Sequence, residues 1–409
     1  MNSAPKKKLM PKSALLVRKY QKPIRAIFIS FIVILCVTFV LHTPSQPRAH
    51  ELGKLVQTSQ KLDTRHLVLP ATDKIQDVHY PVNDETKESA AMVTLARNRD
   101  LWSLAKSVRH VEDRFNRRYH YDWVFLNDEP FSEEFQRVMT ALVSGTAKFG
   151  LIPKDHWNVP DWIDEKKAAA AREKMVEFQI PYADSVSYRN MCRYESGFFW
   201  RHPLLDSYSW YWRVEPDIEL FCDINYDVFK FMRENKKKYG FILSISEYVE
   251  TIPTLWNSVK EFMAKNPKHI HKNNLMNFIS DDKGETYNLC HFWSNFEIAS
   301  LDFWRSQAYR DFFDHLDKTG GFYYERWGDA PVHSIAAALM LDESELHFFD
   351  GIGYYHPAYF SCPVEEKIRL QNQCVCDPAT DQTWMNGYFC TRKFFEARKL
   401  ALPKEVEAR

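Results

Sequence analysis

The sequence predicts an α/β fold built on a largely parallel sheet, and three observations carry that prediction. From residue 90 onward, apolar runs of strand length alternate with amphipathic helical segments. The run SYSWYWRVEPDIEL breaks at Pro216, which has no N–H to give a sheet ladder, so a strand ends at Glu215-Pro216-Asp217. Two further runs, GFILSISEY (240–248) and HFFDGIGYYHP (347–357), supply additional buried strands, the second ending in a loop at His356.

Taken in order, AMVTLARN reads as a strand that ends at Arg97. DLWSLAKSVRHVEDRF places Leu101, Leu104, Val108, Val111 and Phe115 on one helical face. YDWVFLND is a second strand, and SEEFQRVMTALVSG a second helix closing on Gly145. Parallel sheets bind ligands beyond the carboxyl ends of their strands, which puts Arg97 where a nucleotide or phosphate would lie. Glu215 and Asp217, bracketing the proline turn behind Arg213, make a candidate site for a hard cation beside phosphate.

The stretch 287–341 is the most unusual. Tyr309, Phe312, Phe313 and Leu316 form the apolar stripe of a helix that Gly320 and Gly321 stop. Asp329 before Ala330-Pro331 is a helix-start signature. Trp293, Phe296, Phe303, Trp304, Phe322, Tyr323, Tyr324 and Trp327 crowd around Glu297, Glu325 and Asp329. Aromatic walls with sparse carboxylates suit a sugar; an aromatic core with acids at its rim is the competing reading. The chain has no GxxxxGK[ST], HExxH or GxSxG, and Gly351-Ile352-Gly353 lacks the third glycine of a dinucleotide fingerprint.

Charge and hydropathy divide the 409 residues. Residues 1–25 carry eight Lys and Arg and no acid; without them 46 basic residues face 54 acidic ones, a net −8. Such a remainder excludes nucleic-acid binding by electrostatics, because a phosphate backbone wants a basic face. Residues 26–41, AIFISFIVILCVTFVL, carry no charge. A spanning helix needs ~20 apolar residues, with ~17 as the lower limit, and Ile24 with a snorkelling Arg25 extends this one. His42-Thr43-Pro44 offers no small-residue cleavage site, which disfavours a removed signal peptide. The expected layout is a cytosolic basic tail (1–25), a single signal anchor (26–43), a proline-bearing stem (44–89) and a lumenal domain (90–409). Beyond Cys36 stand seven cysteines, of which Cys362, Cys374, Cys376 and Cys390 cluster as a disulfide staple would. The sequence leaves their pairing open, with Cys192, Cys222 and Cys290 as further partners; an odd total leaves one thiol over.

HYDWVFLND, SVSYRNMCRYESGFFWRHPL, YWRVEPDIELFCDI, YNLCHFWSNFEIASLDFWRS, HLDKTGGFYYERWGDAPVHSIAAAL and HFFDGIGYYHP together resemble the fungal Golgi α-1,2-mannosyltransferases of glycosyltransferase family 15. The likeness runs from about residue 90 to 403 and includes the tail, anchor and stem layout of a single-pass type II Golgi membrane protein. It implies a GT-A-like Rossmann-type mixed sheet, GDP-mannose as donor, Mn²⁺, and transfer with retention to a mannosylated glycoprotein acceptor. By similarity, Glu215 and His356 are the metal ligands and Glu297 is the carboxylate proposed as nucleophile. Tyr188 sits at the donor diphosphate with a catalytic part, and Arg97, Arg213 and Asp329 line the nucleotide-sugar site. A lumenal mannosidase and a non-catalytic mannose-binding protein are the alternatives; a mannosidase would need no metal directed at a diphosphate.

Overall fold

The computed structural model describes residues 86–407, together with Gln76 and residues 78–81. The basic tail, the apolar segment and most of the expected stem lie outside the described residues. No helix among the described residues is long and apolar enough to cross a membrane. The far end of the expected stem is not a free tether. Val78 is buried in the core, the Phe348 N–H donates to Gln76 Oε1 at 3.3 Å, and Tyr80 packs edge-on to Tyr226.

The strands are β1 (Ala90–Leu95), β2 (Asp122–Asn127), β3 (Ala147–Leu151), β4 (Trp210–Val214), β5 (Glu219–Leu220) and β6 (Tyr239–Phe241). They continue with β7 (Ser244–Ser246), β8 (Cys290–Phe292), β9 (Phe296–Ser300), β10 (Leu346–Phe348), β11 (Tyr354–His356) and β12 (Tyr359–Ser361). Seven of them form one sheet in the order β10-β6-β9-β4-β1-β2-β3. It is mixed: β1 pairs in parallel with β2 and β4, whereas β9 runs antiparallel between β4 and β6. Both faces are covered. Met92, Trp123, Phe125 and Trp212 bury on one side, and Ala91, Val93, Val124 and Tyr211 on the other. That two-sided burial is why these strands read as continuous apolar runs rather than alternating ones.

The helices that matter for the site are α1 (Leu101–Val111), α2 (Glu133–Leu142), α3 (Glu165–Glu177), α4 (Val186–Gly197), α5 (Gln307–Thr319) and α6 (Asp329–Met340). The expected face of α1 is buried, Phe115 included, and one wider turn carries the helix on to Asn116. Ser132, Ser185 and Ser306 cap α2, α4 and α5, each hydroxyl accepting a first-turn N–H. Gly320, at φ +73°, ends α5 as expected. Asp329 does not cap α6. Gly328 holds that position and Asp329 opens the helix, leaving its carboxylate free for other partners.

Two expectations need correcting. The run 240–248 is not one strand: after β6 the chain leaves the main sheet, and β7 pairs instead with β8. Every residue from 240 to 245 is buried, so nothing in the pattern marks the change of sheet. The four late cysteines do not form a staple of their own either. Only Cys362–Cys376 closes within the cluster, while Cys374 reaches back to Cys222 and Cys390 to Cys290. The thiol left over is Cys192, buried on α4. Two of these bridges flank the small sheet β12-β11-β5. There Gly353 has φ +68° and a Cβ would come within 2.9 Å of Cys222 Sγ, which explains a glycine in that loop.

Candidate active site

The carboxyl ends of β1, β2 and β4 and the amino end of antiparallel β9 meet along one edge of the sheet. A cleft opens there in two chambers of about 330 and 380 Å³. Leu95, Arg97, Asp100, Asn127 and Asp128 line the first, just past β1 and β2. Arg213, Glu247, Trp293, Ser294, Arg326 and Asp329 line the second, together with Tyr248, Tyr359 and Tyr388. Glu215, His356, Tyr188, Tyr182, Met191 and Asn295 line both, so the chambers are halves of one cleft.

The elements explain each position. Arg97 follows β1; its Nη2 donates to Ser187 Oγ at 2.6 Å, tying it to the first turn of α4. Tyr188 sits in that same turn, stacked on Tyr182 with ring centroids 4.3 Å apart. Burial pushes its hydroxyl well above the usual tyrosine range, so it stays protonated. Arg213, the fourth residue of β4, donates from Nε to Glu215 and from Nη1 to Asp329, both at 2.6 Å. Ser294 Oγ donates to the same Asp329 oxygen at 2.8 Å. Burial would raise the Asp329 carboxyl, but Arg213, His333 and Ser294 together outweigh it and hold the group below the usual range.

Glu195, on α4, is 3.9 Å from Arg213 and pushed up to about 8. Burial dominates there because the Arg213 charge is already met at 2.6 Å by two other carboxylates.

Glu297 lies elsewhere. It is 0% exposed and lines neither chamber. Its carboxylate accepts from Tyr239 Oη at 2.7 Å, Tyr211 Oη at 2.8 Å and His333 Nδ1 at 2.8 Å. The other ring nitrogen of His333 lies 3.1 Å from the Glu195 carbonyl, which accepts from it. Burial alone would lower His333, but the Glu297 carboxylate overrides it and the imidazole is raised, a charged partner for a charged acid. Trp304 packs on His333 with ring centroids 4.3 Å apart and donates to Tyr211 Oη. Most of the expected aromatic cage is buried in the core, and of its rings Trp304 packs against this pair. Phe296, Phe303, Trp304, Phe322, Tyr323 and Trp327 are buried, and of the cage only Trp293 faces the cleft. Glu325 is likewise engaged, accepting from Trp327 Nε1 and Thr254 Oγ1.

Residues 50–399 match the family described as glycolipid 2-alpha-mannosyltransferase. The chain belongs to this family. A probable mannosyltransferase of Saccharomyces cerevisiae, KTR3, is 63% identical over 98% of this chain and 99% of its own length. The alpha-1,2 mannosyltransferase KTR1 of the same yeast is 62% identical over 81% of this chain and 84% of its own. Among solved structures, S. cerevisiae Ktr4p in complex with GDP superposes with a TM-score of 0.75 at 34% identity, covering 92% of this chain and 98% of that one. The Mn/GDP form of core-mannan synthase A from Aspergillus fumigatus gives 0.72 at 39% identity, covering 77% and 86%. The mixed sheet flanked by helices is thus the glycosyltransferase fold of this family.

A family member solved with manganese raises the question of whether the residues here fit a divalent ion. They do. His356 Nδ1 lies 2.9 Å from the Pro357 carbonyl and donates to it, which leaves Nε2 as the acceptor, with the Asn295 amide 3.4 Å away. A backbone carbonyl on the second nitrogen is how ligating histidines are commonly oriented. Burial lowers the imidazole and keeps it neutral, as a ligand must be. Glu215 lines the same two chambers and would supply the carboxylate. Among the described residues no group of three or more His, Cys, Asp and Glu gathers around one point. The pair would leave most of the coordination shell to phosphate oxygens and water.

The family's cleft also contains residues that sequence reasoning missed: Asn295, Glu247, Arg326 and Tyr182. Asn295 and Arg326 are neighbours of motif residues, but strand alternation would put Asn295 on the same side as Glu297 and does not reveal it. Nothing in the spacing marks Glu247 or Tyr182.

Proposed function

We propose that this chain is a retaining α-1,2-mannosyltransferase that moves mannose from GDP-mannose to a mannoside acceptor on glycoprotein glycans, O-linked, N-linked or cell-wall mannan. One observation carries the reading: a carboxylate and a neutral imidazole, Glu215 and His356, share one wall of a cleft at the carboxyl edge of the sheet, midway between two chambers. The first chamber, with Arg97, Asn127 and Asp128, takes the nucleoside; the second takes the transferred sugar and the acceptor. A bound Mn²⁺ supplies Lewis-acid neutralisation of the departing diphosphate.

The protein's own groups do the rest. Glu215 and His356 would hold the ion, and Arg97 with the first-turn amides of α4 draws the phosphates into place. Tyr188, kept protonated, donates from its hydroxyl toward the diphosphate. Arg213 fixes Glu215 and Asp329 at once, so the metal ligand and the sugar-binding acid are set by one guanidinium. Glu297 acts from beneath as a positioning residue. To reach a sugar it would have to abandon three hydrogen bonds to a charged group, each worth ~1.5–3 kcal/mol. Retention then follows from acceptor attack on the face the diphosphate leaves, with the acceptor proton passing to the departing phosphate oxygen.

The layout expected from the sequence completes the proposal: a single-pass type II protein of the Golgi membrane with a lumenal catalytic domain. The test is incubation of the lumenal domain with GDP-mannose, Mn²⁺ and a panel of mannosides, followed by linkage analysis. Expected are α-1,2 products that vanish with EDTA and return with Mn²⁺; GDP-mannose turnover indifferent to EDTA would sink the metal assignment.

A further inference from the structure

Arg326 stands apart from every other charged group in the second chamber. It is 5% exposed, and its Nε is buried with no hydrogen-bond partner. The nearest carboxylate oxygen, Glu247 Oε1, is 3.9 Å from Nη2, too far for a hydrogen bond. That oxygen already accepts the Tyr248 N–H at 2.8 Å. The guanidinium lies over the Tyr188 ring at 5.3 Å, and both Arg326 and Glu247 line the chamber. The backbone is fixed, since the Arg326 N–H donates to the Thr251 carbonyl. Buried guanidinium donors without acceptors are rare in folded proteins and call for an explanation. Arg213 shows the contrast: equally buried and in the same wall, it is engaged by Glu215 and Asp329 at 2.6 Å.

We infer that Arg326, with Glu247 beside it, is a specificity-determining subsite for the hydroxyls of the transferred hexose, an inference that rests on the donor reading above. The chemistry selects a neutral polyol over a second anion. Glu215, Glu247 and Asp329 face this chamber against Arg213 and Arg326, so it is not basic. A hydroxyl both donates and accepts, and a guanidinium beside a carboxylate can satisfy adjacent hydroxyls on one sugar. Depth favours the transferred sugar over the acceptor. Arg326 lies against Tyr188, which also lines the nucleoside chamber, whereas Tyr248 at the outer rim is 46% exposed.

The experiment compares GDP-mannose with its monodeoxy forms, one for each sugar hydroxyl, in wild type, Arg326→Gln and Arg326→Lys, with GDP affinity measured separately in Mn²⁺. A site built to bond a hydroxyl rejects the analogue lacking it, so wild-type kcat/KM for at least one deoxy donor is expected to fall ~10-fold or more below GDP-mannose. In Arg326→Gln the two values should converge to within about threefold, because residue and hydroxyl are then coupled. GDP affinity should stay within about twofold, which shows a folded protein and separates a sugar contact from a diphosphate contact. Arg326→Lys keeps the charge without the planar fork and should show part of the convergence, giving the same comparison if the glutamine variant fails to fold. Undiminished discrimination against every deoxy donor in both variants would overturn the inference, and so would GDP affinity falling in step with turnover. Failure of the donor reading itself looks different: wild type would then turn over no GDP-mannose at all.

Discussion

Two charged clusters lie within one wall of this protein, and they differ in how completely their hydrogen bonds are met. Around Glu297 the carboxylate has three donors and His333 finds an acceptor on each side. At the cleft, Glu215 is held on one oxygen by Arg213, His356 Nε2 accepts from the Asn295 amide at a long 3.4 Å, and Arg326 leaves a buried donor unmet. The two clusters share residue types, so composition does not distinguish them. Saturation does. A closed polar network stabilises a fold and fixes its neighbours, whereas an open one beside a cavity is prepared for something the protein does not contain.

Substitutions can test that contrast, beginning with the open cluster. Glu215→Ala should lower GDP-mannose turnover by ~10³-fold or more, because stabilising the leaving charge supplies much of the rate. Excess Mn²⁺ should restore only part of it while the melting temperature holds, and near-normal turnover would remove Glu215 from the site. Glu297→Ala should do the reverse and damage the fold. Losing one partner of a buried pair costs ~3–5 kcal/mol, read from denaturant unfolding. The shape-preserving Glu297→Gln should keep GDP binding and lose less stability; a Gln variant of full stability with turnover abolished would instead make Glu297 a reacting group.

The closed cluster also predicts a pH dependence. Glu195 is pushed up to about 8, so between its unfolded value near 4.5 and that point the folded chain holds a proton that the unfolded chain releases. Raised His333 acts with the same sign: its contribution is full below its unfolded value near 6.5 and is lost as pH climbs through the folded one. Stability should therefore decline from pH 5 toward 8, and Glu195→Gln should flatten the slope by up to ~1.4 kcal/mol per pH unit. An unchanged slope would mean Glu195 is ionised throughout. The smallest effect expected is at Tyr182, exposed and stacked on Tyr188. Tyr182→Ala should raise KM several-fold, about 1 kcal/mol of lost stacking, with little change in kcat.

Much of this was legible in the chain before any coordinates. The stripe through Leu101, Leu104, Val108 and Val111, the break at Pro216 and the stop at Gly320 are local signals, and each element formed where its signal lay. That Glu215 and His356 line one cleft was also legible, since unusual motifs carry them. What the chain hid was direction. Glu297 and Asn295 are two residues apart at the mouth of β9, yet one faces a sealed core and the other the cleft. Likewise Trp304 and Trp293 look alike in sequence, and only packing against His333 shows that the first supports the fold. Arg326 went unseen because an unmet hydrogen bond has no sequence signature.

The small sheet carrying His356 has a consequence for how the protein matures. β11 is flanked by β5, which runs on to Cys222, and by β12, which runs on to Cys362. Both cysteines are bridged to the segment 374–376. Glu215 follows directly on β4 of the main sheet, away from these bridges. A chain kept reduced would leave the seat of His356 without these two ties, so the order of that part of the cleft depends on passage through an oxidising compartment. Cys192, sealed on α4 with its thiol driven away from ionisation by burial, stays out of that exchange.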